Sequence, residues 1–168
     1  MVDPQRTDAR AVLAQVVDPE MPMLTLEDLG VVRSVEIEGD AVTVVITPTY
    51  SGCPAVEEMR KDLRSSLNDA GYECVVVRTV LSPPWSTDWI SEEGHRKLAE
   101  AGIAPPGRVV PRPAGPVPLT LTSSSTAVRC PHCGALATRE LSRFGPTPCT
   151  ALRRCLSCRE PFEHMKEI

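Results

Sequence analysis

The sequence predicts a mixed domain of helices and strands, followed by a linker and a small metal-binding tail. Three observations lead to this prediction. Apolar residues recur at helical spacing in some segments and alternate in others. A proline-rich stretch is typical of a semi-rigid linker, and two Cys-x-x-Cys pairs follow it. We therefore expect one domain at 1–103, a Pro/Ser-rich linker at 104–126 and a separate module at 127–168.

Composition and charge narrow the class of protein. The net charge of −4 argues against a general nucleic-acid binder, although the tail is mildly basic. No apolar run approaches the ~20 residues that a membrane-spanning helix needs, and the polar N-terminal segment lacks a signal-peptide core. We therefore expect a cytoplasmic protein whose partners are neither membrane nor nucleic acid. In that compartment the seven cysteines are expected to be metal ligands or reactive thiols rather than disulfides.

The first helix leads into a turn with candidate acidic ligands. Apolar residues at 9–17 follow a helical stripe, and Pro19 ends the helix because it restricts the residue before it. Residues 18–22, Asp-Pro-Glu-Met-Pro, then form a stiff acidic turn. The carboxylates of Asp18 and Glu20 can orient a metal or a partner, and solvated loop acids are an equally good interpretation.

A β-hairpin and a second helix come next. Apolar alternation predicts strands at 31–38 and 41–48, joined by the two-residue turn Gly39-Asp40. A helical stripe then predicts a helix at 54–70, which a proline begins and a glycine stops.

Cys53 lies where the second strand passes into this helix. A sulfur at a helix start is near backbone N–H groups that lack intrahelical partners, and near the positive end of the helix dipole. Both effects favour thiolate over thiol, so we expect a lowered pKa and a sulfur that can attack or bind metal. The alternative is a cysteine that only caps the helix beside the core.

The next segments contain one more strand and both tryptophans. Residues 74–80 predict a buried strand with Cys74 in the core. Residues 82–90 hold Trp85, Trp89 and two prolines, and this composition predicts a rigid apolar loop. Such a loop either packs across the domain or contacts a partner, because tryptophan is favoured at interfaces. We prefer packing.

The tail carries the most specific motif of the chain. Cys130 with Cys133 and Cys155 with Cys158 supply four thiolates on two tight turns, which suits tetrahedral Zn²⁺. A module of this size buries too little apolar surface to fold without a bound metal or another cross-link. We therefore predict structural zinc in preference to an iron–sulfur or redox site. Cys149 is left over, and we expect it on a ribbon strand, exposed and reactive, or as an alternate ligand.

The three histidines are weak candidates for ligands. His132 lies inside the first cysteine pair, and we expect its ring to point outward. His164 is near the chain end and is expected at the surface. His95 lies on a predicted amphipathic helix and has no evident partner.

Three motifs in the first domain resemble one known family. They are Asp-Pro-Glu-Met-Pro at 18–22, Asp-Leu-Gly-Val-Val at 28–32 and Thr-Tyr-Ser-Gly-Cys-Pro at 49–54. In order and spacing they resemble the metal–sulfur cluster assembly (SufT-like) domain family. The segment Pro-Pro-Trp-Ser-Thr-Asp-Trp-Ile at 83–90 and the tail motifs at 144–162 extend this resemblance. They are similar to the PaaD family of accessory proteins, which are encoded with the bacterial phenylacetyl-CoA epoxygenase.

The resemblance implies a fold and a role. The fold is an α+β domain, with a small mixed sheet and helices on one face, followed by a zinc β-ribbon. The role is that of a non-catalytic accessory factor that assembles or delivers iron or iron–sulfur centres to the epoxygenase complex in aerobic phenylacetate degradation. The implied clients are the di-iron oxygenase and iron–sulfur reductase subunits, and a cluster donor or carrier is a further partner.

The resemblance also implies site residues. The family's functional cysteine matches Cys53, and its acidic turn matches Asp18 and Glu20. Its ribbon ligands match the four cysteines of the two pairs, and Cys149 also matches a family cysteine.

Three residues depart from the family pattern. Arg153, His164 and Met165 stand where the resemblance leads us to expect aromatic residues. The departure weakens any aromatic contact surface on the ribbon. It also makes His164 a poorer candidate for a ligand.

Two functions compete on this evidence. In the first, Cys53 holds iron or a cluster transiently, with Asp18 or Glu20 close by. Because a cluster generally takes four ligands, a second copy in a homodimer, a client or a carrier supplies the rest. In the second, the chain is a structural adaptor whose loop with Trp85 and Trp89 docks on the epoxygenase. An enzyme with Cys53 as nucleophile is disfavoured, because such a nucleophile needs a positioned base.

Overall fold

A computed structural model describes residues 8–107 and 127–168. None of the helices in these two stretches is long and apolar enough to cross a bilayer. In chain order the elements are α1 (Ala9–Leu13), β1 (Val32–Glu38), β2 (Ala41–Ile46), α2 (Val56–Asp69), β3 (Cys74–Thr79), a 3₁₀ turn (Thr87–Trp89), α3 (Glu92–Glu100), β4 (Ile103–Ala104), β5 (Thr138–Ser142), β6 (Thr150–Cys155) and β7 (Pro161–Met165).

The N-terminal strands form a three-stranded mixed sheet in the order β1-β2-β3. β1 and β2 are antiparallel around the turn at Gly39, whose φ of +60° favours glycine. β3 lies parallel to β2 after the α2 crossover. Val42, Val44 and Ile46 of β2 are buried, as is the face of α2 that carries Leu63. This packing of helix on mixed sheet confirms the predicted α+β class.

The tail forms a second sheet in the order β4-β7-β6-β5. β5, β6 and β7 are antiparallel neighbours. β4 arrives from the N-terminal part and pairs in parallel with β7, with Ile103 opposite Glu163 and Ala104 opposite His164. Ala104, the first residue of the predicted linker, therefore belongs to a strand of the ribbon sheet. The part of the predicted linker at 108–126 lies outside the described residues.

The first helix is shorter than the apolar stripe predicts. α1 ends at Leu13, and Val17 instead forms an isolated antiparallel bridge with Thr25. Leu26 N–H donates to the Val16 carbonyl (2.9 Å), which closes the loop between them. These hydrogen bonds replace those of the predicted last helical turn, so the prediction is wrong beyond Leu13.

β3 is less buried than the sequence predicts. It lies at the edge of its sheet, and Val77 is its one buried residue. Cys74 is exposed, so its prediction as a core residue is wrong. An apolar run alone does not distinguish a central strand from an edge strand.

The tryptophan loop packs across the domain, as we preferred from the sequence. Trp85 is buried, and its indole N–H donates to the Leu29 carbonyl (2.8 Å). Trp89 is half-buried, with the guanidinium carbon of Arg33 lying 3.6 Å from the ring centroid. Gly30 permits the close approach, because it has a φ of +66° and an added Cβ would lie 2.5 Å from the Trp89 carbonyl oxygen. Trp85 is therefore not available to a partner.

Asp28 fastens α3 to the N-terminal domain. Its Oδ2 accepts hydrogen bonds from Lys97 Nζ (2.7 Å) and Thr25 N–H (3.0 Å), and its carbonyl accepts one from Ser91 N–H (2.8 Å). Burial raises the pKa of Asp28, but the hydrogen bonds from Lys97 and Thr25 outweigh burial and hold the pKa below its ordinary value. Because α3 leads directly into β4, this carboxylate also positions the strand through which the ribbon sheet joins.

Candidate metal centres

Four cysteine sulfurs meet in the ribbon. The Sγ atoms of Cys130, Cys133, Cys155 and Cys158 all lie within 4.8 Å of one another. Two of the separations are 3.8 Å, between Cys130 and Cys158, and 3.5 Å, between Cys133 and Cys155. A tetrahedral zinc ion with Zn–S bonds of about 2.3 Å places its sulfurs ~3.8 Å apart. The four residues therefore fit a structural zinc ion, as the sequence predicts.

Tight turns bring the two cysteine pairs together. Gly134, at a φ of +75°, donates its N–H to the Cys130 carbonyl (2.9 Å), and Cys155 N–H donates to the Glu160 carbonyl (3.0 Å). The backbone N–H of Cys158 lies 3.5 Å from the Cys155 sulfur. This donor, the Ser157 N–H and the neighbouring thiols lower the pKa of Cys155 to about 6, while the neighbouring thiols raise the pKa of Cys158. Backbone donors aimed at a sulfur favour thiolate, which is the form that zinc binds.

Cys53, the predicted transfer ligand, lies beyond the carboxyl end of β2. Residues 47–49 are buried, and half-buried Cys53 follows with its N–H donating to the Tyr50 carbonyl (3.2 Å). α2 begins at Val56, and its cap residue Ala55 makes no side-chain capping bond. The helix therefore begins two residues later than predicted, and Cys53 precedes the cap instead of forming it.

The pKa of Cys53 is raised, which contradicts the predicted lowering. Burial of the thiol is the largest cause. The hydrogen bond from the Ala55 backbone N–H lowers the pKa, but by less than burial raises it. The charges of Glu20, Asp18 and Cys149 raise the pKa further. The prediction considered the helix end but not these neighbours. Cys53 is therefore a thiol at neutral pH, and a bound cation would displace its proton.

Asp18 lies in a turn that its own side chain closes. It is 4% exposed, and its Oδ1 accepts hydrogen bonds from Glu20 N–H (2.9 Å) and Met21 N–H (2.8 Å). Burial raises the pKa of Asp18 more than these two donors lower it. Burial and the Asp18 charge likewise raise the pKa of Glu20. The charges of both acidic residues also contribute to the raised pKa of the Cys53 thiol. Among the described residues only the four ribbon cysteines bring three or more potential ligand atoms within 4.8 Å, so Cys53, Asp18 and Glu20 do not form a preorganised metal site.

Cys149 of the tail does not lie with the zinc ligands. Cys149 is buried in the apolar core of the N-terminal part, against which Cys53 packs, and not in the smaller core around the zinc ligands. Burial raises the pKa of its thiol, a hydrogen bond with the Thr147 hydroxyl lowers it, and the charges of Glu20 and Asp18 raise it. The expectation of an exposed Cys149 is therefore wrong.

The pairing of β4 with β7 explains how Cys149, a residue of the tail, comes to be buried in the core of the N-terminal part. The pairing of β4 with β7 anchors the ribbon, and Lys166 N–H, just after β7, donates to the Cys149 carbonyl (3.0 Å). Gly145 lets the preceding loop turn back tightly, because an added Cβ would lie 2.3 Å from Thr150 Oγ1. Sequence reasoning missed this arrangement because it depends on contacts between distant parts of the chain.

None of the three histidines belongs to the group of ligand atoms that the four ribbon cysteines form. His132 is exposed, as predicted. His95 Nδ1 lies 2.9 Å from the Ser91 carbonyl on its own helix. His164 is buried, 3.7 Å from a carboxylate oxygen of Glu167, so the prediction of a surface position is wrong. The reason is that side chains alternate along β7, so His164 shares a buried face of the sheet with Phe162.

The residues that depart from the family pattern are internal. Arg153, His164 and Met165 are all buried. Aromatic residues at these positions would therefore pack inside the ribbon and would not form the contact surface that we inferred from the resemblance.

Comparison with known families agrees with both parts of the fold. Residues 6–78 match the family described as iron–sulfur cluster assembly protein, and residues 114–166 match the PaaD zinc beta ribbon domain. The crystal structure of a domain of unknown function, DUF59, from Bacillus anthracis is similar, with a TM-score of 0.50 and 29% sequence identity. The similarity covers 54% of this chain and 87% of that one.

Curated relatives extend the likeness to nearly the whole chain. The Fe-S protein maturation auxiliary factor of Porphyromonas gingivalis is 33% identical over 54% of this chain and 88% of its own length. A putative 1,2-phenylacetyl-CoA epoxidase subunit from Escherichia coli is 42% identical over 98% of this chain and 94% of its own. With both domain families matched in order along it, the chain belongs to the PaaD family, in which an iron–sulfur cluster assembly domain precedes a zinc ribbon.

Proposed function

We propose that this chain is a non-catalytic maturation factor, which binds iron or an iron–sulfur centre transiently at Cys53 and delivers it to a phenylacetyl-CoA epoxidase complex. The observation that carries the proposal is the match of residues 6–78 to the iron–sulfur cluster assembly protein family, since this stretch contains half-buried Cys53 and the turn closed by Asp18. The names of two relatives support it, since one is an epoxidase subunit and the other a maturation auxiliary factor.

Negative charge is unfavourable at this site unless a cation is present. The Asp18 charge acts on Glu20, and both act on Cys53, so each ionised group disfavours the next. A ferrous ion reverses this preference, because it stabilises thiolate and carboxylate together. Binding therefore releases protons, and release of the metal takes them up again. Such a site holds its cargo less tightly than four thiolates hold zinc, which suits transfer.

The site on one chain leaves room for a second protein. A cluster generally takes four ligands, and Cys53 supplies one of them. The client or a carrier supplies the others during transfer, or a second copy of this chain does. We expect the clients to be the di-iron oxygenase and iron–sulfur reductase subunits of the epoxidase, and the exchange to take place in the cytoplasm.

Anaerobic reconstitution with ferrous iron and sulfide tests the proposal. Zinc-loaded wild type, Cys53→Ser and Cys74→Ser are compared for iron uptake and for restoring activity to iron-depleted epoxidase. Cys74 provides the matched control because it is an exposed thiol on an edge strand. We expect Cys53→Ser to lose most of both activities and Cys74→Ser to equal wild type. Equal uptake and equal recovery by all three proteins would exclude Cys53 as the transfer ligand.

An adaptor function is the alternative, and one observation favours it. Phe144, between β5 and β6, is 74% exposed, and the Lys166 ammonium lies 5.0 Å from its ring centroid. Exposed aromatic residues are enriched where proteins dock. If Phe144→Ser abolishes co-purification with the epoxidase while Cys53→Ser leaves both co-purification and epoxidase activity intact, the adaptor function is the correct one.

A further inference from the structure

We infer that a cavity beside the start of α3 binds an arginine side chain of a partner protein. The cavity has a volume of about 420 Å³ and lies between the 3₁₀ turn, the first turn of α3 and the residues that follow β4. Its lining includes Thr87, Asp88, Ile90, Glu92, His95 and Pro106. Neither Cys53 nor a zinc ligand takes part, so this inference stands or falls independently of the proposed function.

The charge of the cavity selects a cationic ligand. Asp88 and Glu92 each contribute a carboxyl group to the lining, and none of the lining residues that the structure describes is a lysine or an arginine. A third carboxyl group lies at the edge, because Glu167 Oε1 accepts a hydrogen bond from the N–H of Gly107, which is also a lining residue (3.1 Å). We therefore expect a cation to bind here and an anion to be repelled.

The polar side chains of the cavity are mainly hydrogen-bond acceptors. His95 Nδ1 lies 2.9 Å from the Ser91 carbonyl oxygen, which can only accept, so the neutral ring carries its proton on Nδ1 and leaves Nε2 as an acceptor. The N–H of Gly94, in the first turn of α3, already donates to the Ser91 hydroxyl (2.9 Å) and is not offered to an anion. A guanidinium suits such a set, because it has five N–H donors and no acceptor.

A buried hydroxyl on the cavity wall indicates that a donor is missing. Thr87 is 1% exposed, and its Oγ1 makes no hydrogen bond with any residue that the structure describes. Its N–H donates to the backbone oxygen of Ile168 (3.2 Å) and its carbonyl accepts from the Ile90 N–H (3.2 Å). The hydroxyl is therefore the polar group that Thr87 has left for the cavity. Because an unpaired buried polar group is costly, a ligand N–H that donates to it is favoured.

The apolar part of the wall favours arginine over a compact cation. Ile90 and Pro106 are both buried and line the cavity beside the acidic residues. Arginine packs its methylene stem on such a surface while its planar head pairs with carboxylates. Free arginine has a carboxylate of its own, which the acidic edge repels, whereas in a protein segment this group is part of a peptide bond. The ligand is therefore an arginine within a partner protein.

Titration of the full-length, zinc-loaded protein with small ligands tests the inference. Three tripeptides with capped ends carry arginine, lysine or glutamine between two glycines, and free arginine is the fourth ligand. Backbone amide chemical shifts report both the affinity and the place of binding. We expect the arginine peptide to shift the amides of Thr87, His95 and Gly107 and to bind more tightly than the other three ligands. Equal or tighter binding of any other ligand, or shifts confined to other parts of the chain, would overturn the inference.

Substitutions on the acidic side of the cavity test the charge. Glu92→Gln should weaken binding of the arginine peptide about 3-fold or more, because the carboxylate that faces the guanidinium is lost. Glu93→Gln is the matched control, since the Glu93 carboxylate pairs with Arg96 on the same helix. This control should bind the peptide as wild type does. Equal affinities of all three proteins would contradict the role of Glu92 and overturn the inference.

Replacing the buried hydroxyl separates a binding role from a structural one. Thr87→Val should weaken binding of the arginine peptide about 5-fold, because the acceptor is removed. Its urea midpoint should equal or exceed that of wild type, since valine keeps the shape and removes an unpaired polar group. A lower midpoint with unchanged binding would assign the hydroxyl to the fold and overturn the inference. If Thr87→Val does not fold, the shifts mapped on wild type still decide between these outcomes.

Discussion

Replacing Asp28 by asparagine tests how α3 is held on the N-terminal domain. The Asp28 carboxylate is 10% exposed and faces Lys97 Nζ at 2.7 Å, and the Lys97 side chain is 29% exposed. Asparagine keeps an oxygen for the Thr25 N–H but removes the charge that faces Lys97. A hydrogen bond to a charged group contributes about 1.5–3 kcal/mol. In the variant the Lys97 ammonium can turn toward solvent and regain hydration. We therefore expect the free energy of unfolding to fall by about 1.5 kcal/mol, the lower end of this range.

The pH dependence of this loss is a second readout. The folded-state pKa of Asp28 lies below its ordinary value of 3.8. Its stabilisation is therefore fully present above the pKa of the unfolded chain and is lost as the pH falls through the lower folded-state pKa. The difference in unfolding free energy between wild type and Asp28→Asn should be constant near neutrality and shrink below about pH 4. Taking the difference at each pH cancels the loss of zinc in acid, which affects both proteins alike.

Urea unfolding followed by tryptophan fluorescence measures these free energies. Glu100→Gln on the same helix is the matched control, because it breaks an exposed ion pair with Arg96. Exposed pairs contribute little, so this variant should lose no more than about 0.5 kcal/mol. An Asp28→Asn loss equal to that of the control, or a difference that does not shrink down to about pH 3, would refute the reasoning.

Three further substitutions have expected outcomes. Gly30→Ala should lower the free energy of unfolding by about 3 kcal/mol or more, because the added Cβ meets the Trp89 carbonyl oxygen at 2.5 Å; an unchanged urea midpoint would contradict the close packing there. Trp85→Phe leaves the Leu29 carbonyl without its indole donor and should cost about 1–3 kcal/mol in the same assay. Cys130→Ser should release zinc, as measured by elemental analysis, and full retention of the metal would contradict the four-cysteine site.

Signals that act over a few residues predicted the local structure well. The Gly39-Asp40 turn joins β1 to β2 as expected, because a two-residue turn fixes the register of the strands on either side. The cysteine pairs of the ribbon converge as expected, because the spacing within each pair already sets a tight turn around a metal. In both cases the interaction that decides the structure lies within the motif itself.

The wrong predictions concern properties that distant residues determine. The pKa of Cys53 follows burial and the charges of Asp18, Glu20 and Cys149, which outweigh the helix end that the sequence reveals. Cys74 is exposed because β3 lies at a sheet edge, and edge position depends on which strands pair. The burial of Cys149 in the core of the N-terminal part likewise requires the two sheets to be joined. A single sequence contains no periodic pattern for such contacts.

The parallel pairing of β4 with β7 limits how this chain can be recombined with its relatives. Ile103 and Ala104 come from the N-terminal part yet complete the sheet of the tail. A tail produced from residue 127 onward would carry β7 with an open edge, which invites self-association. Chimaeras that exchange ribbons between homologues should be more stable when the crossover lies upstream of Ile103, because β4 and β7 then come from the same parent.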